Sequence, residues 1–349
     1  MIRKKPSLAA LTMMVLFSVT SAQGADWFPA DAQKIAVERE KRLLQLAGDK
    51  LASSTRLVQE DIAVLERDRD ALTPAEPPRR EEELSDLLDW QYRHAEFFSD
   101  QENTVTDLMT DLSAPGAPPE PLLVFDSMAD KERGFAVEMV KKVERYAAER
   151  DRVAELLERR QRLIGQAADL KEKLLRRFPN DGEGTRPERD QEEERRLKLE
   201  LKLVQAELSS LPPELDEAMR RHYVALVEYC QWQKDWLQLE VDAYDALGSV
   251  AALAPSSDQR DYPSLLNAHK RLARTFESQV VRLKRMEEEI DRKRTRVVVA
   301  GSFQEAQRSR FLNEMFDRLK ERIDNRIREL KVNAGASEAE MAQLRSAER

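Results

Sequence analysis

Residues 153–174 read VAELLERRQRLIGQAADLKEKL. Val153, Leu156, Arg160, Leu163, Ala167, Leu170 and Leu174 recur at alternating three- and four-residue spacing. That is the seam of a left-handed coiled coil, and the acids, bases and amides between them solvate the other face. Leu197, Leu201, Val204, Leu208 and Leu211 repeat the pattern. Only a short stretch with Pro179, Gly182, Gly184 and Pro187 separates the two runs, which predicts an antiparallel hairpin.

The same periodicity extends in both directions. Upstream, Val37, Leu44, Leu51, Val58, Leu65 and Leu72 recur every seven residues in a helix expected over Asp31–Leu72. The companion column is poor: Ala47, Ser54, then Asp61. One apolar column and one small or polar column predict incomplete pairing within the chain. A second chain, identical or different, is therefore expected to cover this helix at Leu51 and Val58. Downstream, Leu265, His269, Leu272, Phe276, Gln279, Leu283, Met286, Ile290, Lys293 and Val297 face a second run, Leu312, Phe316, Leu319, Ile323, Arg326 and Leu330. The joint 299–302 predicts another antiparallel pair. Gln279, Lys293 and Arg326 weaken these seams and can set register instead.

Two helices differ. One, about Arg80–Leu112, carries Trp90, Tyr92, Phe97 and Phe98; the other, about Glu214–Leu247, carries Tyr223, Tyr229, Trp232, Trp236 and Tyr244. Their apolar residues cover more than a narrow seam, so several neighbours must bury them. Trp232 and Trp236 share one helical face. They read as core or, if exposed, as a partner-binding surface, because Trp and Tyr concentrate interface energy.

Proline and glycine mark the breaks: Pro74, Pro77 and Pro78, then residues 113–121, 179–187, 212–213 and 248–263, and finally Gly301. Thr185 with Glu188, Ser302 with Glu305 and Ser337 with Glu340 fit a capping box, and Pro187 is expected inside the first turn of its helix. The expected fold class is all-α, with long antiparallel coiled-coil hairpins and a small aromatic-rich helical bundle region. About seven helices follow. The expected organisation is a signal peptide over 1–22, two helices over 23–112, a Pro-rich linker over 113–128 and a hairpin with a Pro-kinked return helix over 129–249. A linker over 250–262, a C-terminal hairpin over 263–332 and a tail over 333–349 complete the chain.

The N-terminus has the three parts of a secretory signal: Arg3, Lys4 and Lys5, an apolar run from Leu8 to Val19, and small residues at Thr20, Ser21 and Ala22. The apolar run is shorter than the ~20 residues of a spanning helix. The expectation is a periplasmic or secreted protein with no stable membrane anchor after cleavage. Cys230 is the only cysteine, so no internal disulfide can form, and its neighbours Tyr229 and Trp232 mark it as a buried apolar residue.

Charged residues make up 36% of the chain and aromatics 6%, which suits long solvated helices better than one compact core. The net charge of −8 argues against a nucleic-acid binder. Catalytic and metal-binding patterns are missing. His94, His222 and His269 have no ligand spacing on a helix face. The acidic runs Glu81–Glu83, Glu192–Glu194 and Glu287–Glu289 alternate with bases, as solvated helix surfaces do. The cations Arg292, Lys293, Arg294 and Arg296 could meet anionic lipid or peptidoglycan, but they also complement a helix C-terminus. No cofactor, metal or catalytic residue is expected. The function expected is a non-enzymatic exported scaffold or adaptor that binds cell-envelope proteins or itself, with Leu51, Val58, Trp232 and Trp236 as partner-binding candidates. The alternatives are a holdase-type chaperone and an envelope enzyme or activator of an envelope hydrolase.

Overall fold

The computed structural model describes residues 30–72, 78–112, 121–179, 187–213, 215–254, 259–296 and 303–347. Within them the protein is all-helical, with no strand. Its seven α-helices are α1 (Ala30–Asp70), α2 (Pro78–Asp111), α3 (Pro121–Arg177), α4 (Glu188–Ser210), α5 (Glu217–Ala251), α6 (Tyr262–Arg296) and α7 (Phe303–Ala347). A 3-10 turn, Gln259–Asp261, precedes α6. The expected signal peptide, Trp27, Thr185, Ser302 and the joint 299–302 lie outside the described residues. Among those described, no helix is long and apolar enough to cross a membrane.

The 57-residue α3 is the longest element, about 85 Å at 1.5 Å per residue. Its N-terminal part lies antiparallel to α5. Arg133 pairs with Asp245 at 2.5 Å near one end, and Arg160 donates to the Leu215 carbonyl at 2.6 Å near the other. Its C-terminal part lies antiparallel to α4, with Arg159 paired to Glu207 at 2.6 Å and Arg177 to Glu193. Two helices in tandem thus return along one. The break between them falls at Pro212 and Pro213, which offer no N–H to continue a helix. Asp216 restarts it, its Oδ1 accepting the Met219 N–H at 2.8 Å.

α1 and α2 also run antiparallel, joined by Thr55 to Glu102 at 2.7 Å and by Tyr92 to Glu66. α6 packs on α7, with Lys320 reaching Asp291 at 2.8 Å. α7 in turn runs back along α1, where Arg42 meets Glu340 at 2.9 Å and Arg322 meets Asp61 at 2.8 Å. Every helix but α4 contributes to one buried apolar cluster, including Leu44, Trp90, Phe125, Tyr244, Phe276 and Ile323.

Three expectations need correction. α3 begins at Pro121, not after a linker reaching residue 128, and Val124, Phe125 and Met128 are buried. Proline suits a first helical position, and these apolar side chains have a core to enter. Pro187 stands just before α4 rather than inside its first turn, and Glu188 opens the helix. Finally, Ser337 starts no helix. α7 passes unbroken through Asn333 and Gly335, and Ser337 is buried within it. Met341 and Leu344, beyond Ser337, are buried too, so packing outweighs the local cost of glycine.

Candidate functional site

The poor column of α1 is where the interior is most polar. Asp61 points between α2, α5 and α7. Its Oδ2 accepts from Arg322 at 2.8 Å, Gln233 at 3.1 Å and Gln91 at 3.2 Å. The same two amides donate to the Tyr229 hydroxyl at 3.2 and 3.0 Å, so carboxylate and phenol are bridged twice. Arg322 donates also to the Leu57 carbonyl and lies 5.9 Å from the Trp232 ring. Burial works against the Arg322 charge. Asp61, by charge and hydrogen bond, together with Tyr229 and Glu60, overrides that and holds its pKa above the usual guanidinium value.

About three turns nearer the N-terminus, Lys50 contacts Glu240 of α5, both almost fully buried. Glu240 Oε2 also accepts from Arg326 at 3.3 Å, and Arg326 reaches Glu329 at 2.7 Å. The Lys50 ammonium lies 4.7 Å from the Tyr244 ring centre. Burial drives the Lys50 pKa well below its ordinary value and the Arg326 charge adds to that, against Glu329 and Glu132. Three basic side chains, Lys50, Arg322 and Arg326, thus share the interior with Asp61, Glu240 and Glu329, and each contacts at least one of these carboxylates.

A second buried pair adjoins this one. His94 Nε2 lies 3.1 Å from Glu132, which has no exposed surface. The imidazole is packed among Trp90, Phe98 and Phe135, with ring centroids 4.5–5.2 Å away. His222 meets Glu83 at 3.0 Å, and His269 is buried near the start of α6. No group of three potential metal ligands occurs among the described residues. Burial pushes the Cys230 thiol up to about 12, so it stays protonated and unreactive.

The four partner-binding candidates lie on α1 and α5, two of the helices that build this junction. Leu51 is fully buried and Val58 nearly so. The chain's own helices cover both, so neither is open to a second chain in this arrangement. The reason is the column beside them: Asp61 is bonded to α2, α5 and α7, and Lys50 to α5, and those contacts draw the neighbouring helices over α1. Trp232 is buried, while Trp236 is partly exposed and stacks on it at 5.4 Å. Trp236 also borders a small cleft with Ser53, Ser54, Glu240, Asn325 and Arg326. The cleft encloses ≈ 250 Å³ including its open mouth, less than the roughly 300–1,000 Å³ of small-molecule sites. Its cations already hold carboxylates. This arrangement holds α1, α5 and α7 together.

The more accessible feature lies at the other end of α3. α4 packs substantially against α3 alone among the described helices. Leu163, Ala167, Leu170 and Leu197 are buried in that contact. Leu175, Leu199 and Leu203 are 60–66% exposed, and Ile164 is 44% exposed. Leu199 and Leu203, one turn apart on the side of α4 away from Leu197, form a small apolar step on a charged helix. Seam periodicity does not single these residues out, because a lone surface leucine is ordinary until its surroundings in the fold are known.

No protein-family model matches the chain, and it is similar to no curated protein and to no solved structure.

Proposed function

We propose that this protein is a non-enzymatic exported scaffold or adaptor, whose α3–α4 coiled-coil hairpin reaches out to bind other cell-envelope proteins. The observation that carries the reading is the arm itself. About 35 Å of α4 is backed by one helix only, and it keeps Leu199 and Leu203 in water. An arm that served only the fold would gain from polar residues there. A protein partner would bury them, each leucine contributing roughly 1.5–3 kcal/mol when fully covered. The aromatic-rich helices α2 and α5 form the bundle from which the arm extends. The interior polar junction supports the same reading, because its ionisable side chains are engaged with one another.

Replacing Leu199 and Leu203 together with Glu tests this. Both side chains are exposed, so helicity by circular dichroism stays unchanged, while a partner that co-purifies specifically with the unaltered protein is lost. Retention of that partner by the variant excludes the arm as the binding element. Turnover of an envelope substrate by the purified protein, abolished by one carboxylate substitution, would replace the scaffold reading with an enzymatic one.

A further inference from the structure

Helix α6 carries a basic face that nothing in the fold uses. Between Lys270 and Arg285 there are six cations and one carboxylate, in a chain whose net charge is −8. Lys270, Arg271, Arg274, Lys284 and Arg285 are all exposed. Arg282 pairs with Asp242 at 3.1 Å, but the other five have no hydrogen-bond or ion-pair partner among the described residues. Arg93 on α2, by comparison, holds Glu138 at 2.7 Å, so the α6 cations stand out by their density along one helix rather than by being unpaired alone. Lys270, Arg274, Val281 and Arg285 follow one stripe of the helix, about 22 Å long at 1.5 Å per residue. Val281, half-exposed, is the large apolar residue on it. Glu277, Glu288 and Glu289 are the carboxylates on the same side of the helix, and Glu288 is engaged with Arg292 at 3.7 Å.

We propose that this face of α6 is a peripheral docking surface for a membrane bearing anionic phospholipid headgroups. The face is a single convex helix with neither an aromatic anchor nor a pocket, which is not how a protein interface concentrates its energy. A row of separate point charges suits a fluid sheet of phosphates, where each basic residue near the surface adds its own increment of attraction. The charge distribution selects a sheet over a long polyanion. Outside this segment the chain is more acidic than its net charge indicates. A membrane meets one face and leaves the rest in solvent, whereas a wrapping nucleic acid would meet the acidic faces as well. Attachment is electrostatic and reversible, since no described helix can cross a bilayer. This inference does not depend on the arm of α3 and α4, which lies on other helices.

The test is co-sedimentation of the full protein with phosphatidylcholine vesicles, with and without about 30% phosphatidylglycerol. Binding is expected only to the anionic vesicles, and it should disappear in about 0.5 M salt. Changing Lys270, Arg274, Lys284 and Arg285 to Gln should weaken it about a hundredfold or more. Changing four exposed cations of the arm, Arg162, Lys171, Lys173 and Arg176, to Gln removes the same charge and should have little effect. All eight positions are exposed, so both variants keep their helicity. Failure of the unaltered protein to bind anionic vesicles overturns the proposal. So does an equal loss in the two variants, which would assign the effect to net charge. Tighter binding to duplex DNA than to the vesicles would overturn the choice of partner.

Discussion

Glu240 meets two basic side chains in the interior, Lys50 and Arg326. Glu240→Gln removes the carboxylate that Lys50 contacts and leaves Arg326 with Glu329 alone, and the expected destabilisation is about 3–5 kcal/mol by chemical denaturation. Adding Lys50→Met should recover part of that loss. If instead the two losses simply add, the groups are not coupled as described. Glu40 makes a different prediction. It is buried with Oε2 unpartnered, and burial pushes its pKa up to about 7 from 4.5. The folded protein then holds this proton more tightly than the unfolded chain does. The contribution of Glu40 is therefore intact below about 4.5, declines as pH rises to about 7 and stays lost above it. Glu40→Gln should remove that slope and stabilise the protein at pH 8 by on the order of 2 kcal/mol. Denaturation curves across this range that run parallel in both proteins would contradict it. Asp61 and Ser54 show why such residues were hard to read in sequence. Seam periodicity treats a polar residue as a weak position, and the partner that makes Asp61 useful, Arg322, is 261 residues away along the chain.

At the scale of the helix, apolar periodicity located all seven elements, because spacing of 3.5–3.6 residues is a local property of the chain. The end points were less legible where a distant core decided them. Pro121 opens α3 because Val124, Phe125 and Met128 have somewhere to pack, and α7 continues past Gly335 because Leu344 does. Gly335 is then an interior helical residue with nothing within 4 Å of an added Cβ. Gly335→Ala should raise stability by about 0.5–1 kcal/mol, and a decrease in the unfolding midpoint would argue that α7 bends or ends there. The α3–α4 pairing is tested with Arg159→Cys and Glu207→Cys in a Cys230→Ala background. A bifunctional maleimide should link the two within one chain. Linkage found only between chains would mean that the two helices pair across a dimer.

For the whole molecule, a body closed by apolar packing and paired ionisable side chains carries two surfaces the fold does not consume, the arm of α3 and α4 and the basic face of α6. The proposed binding role rests on the arm. Its exposure emerges only when the return path along α3 is seen to be divided between α4 and α5, leaving α3 as the one described helix against which α4 packs substantially. Site-specific photo-crosslinking in living cells tests that role most directly. A photoreactive residue in place of Leu203 should give a discrete adduct with one protein, and that adduct should vanish when Leu199 is also changed to Glu. The same probe in place of exposed Val332 on α7 should not give it. Absence of any adduct from the arm, or an identical set from both positions, would contradict the account.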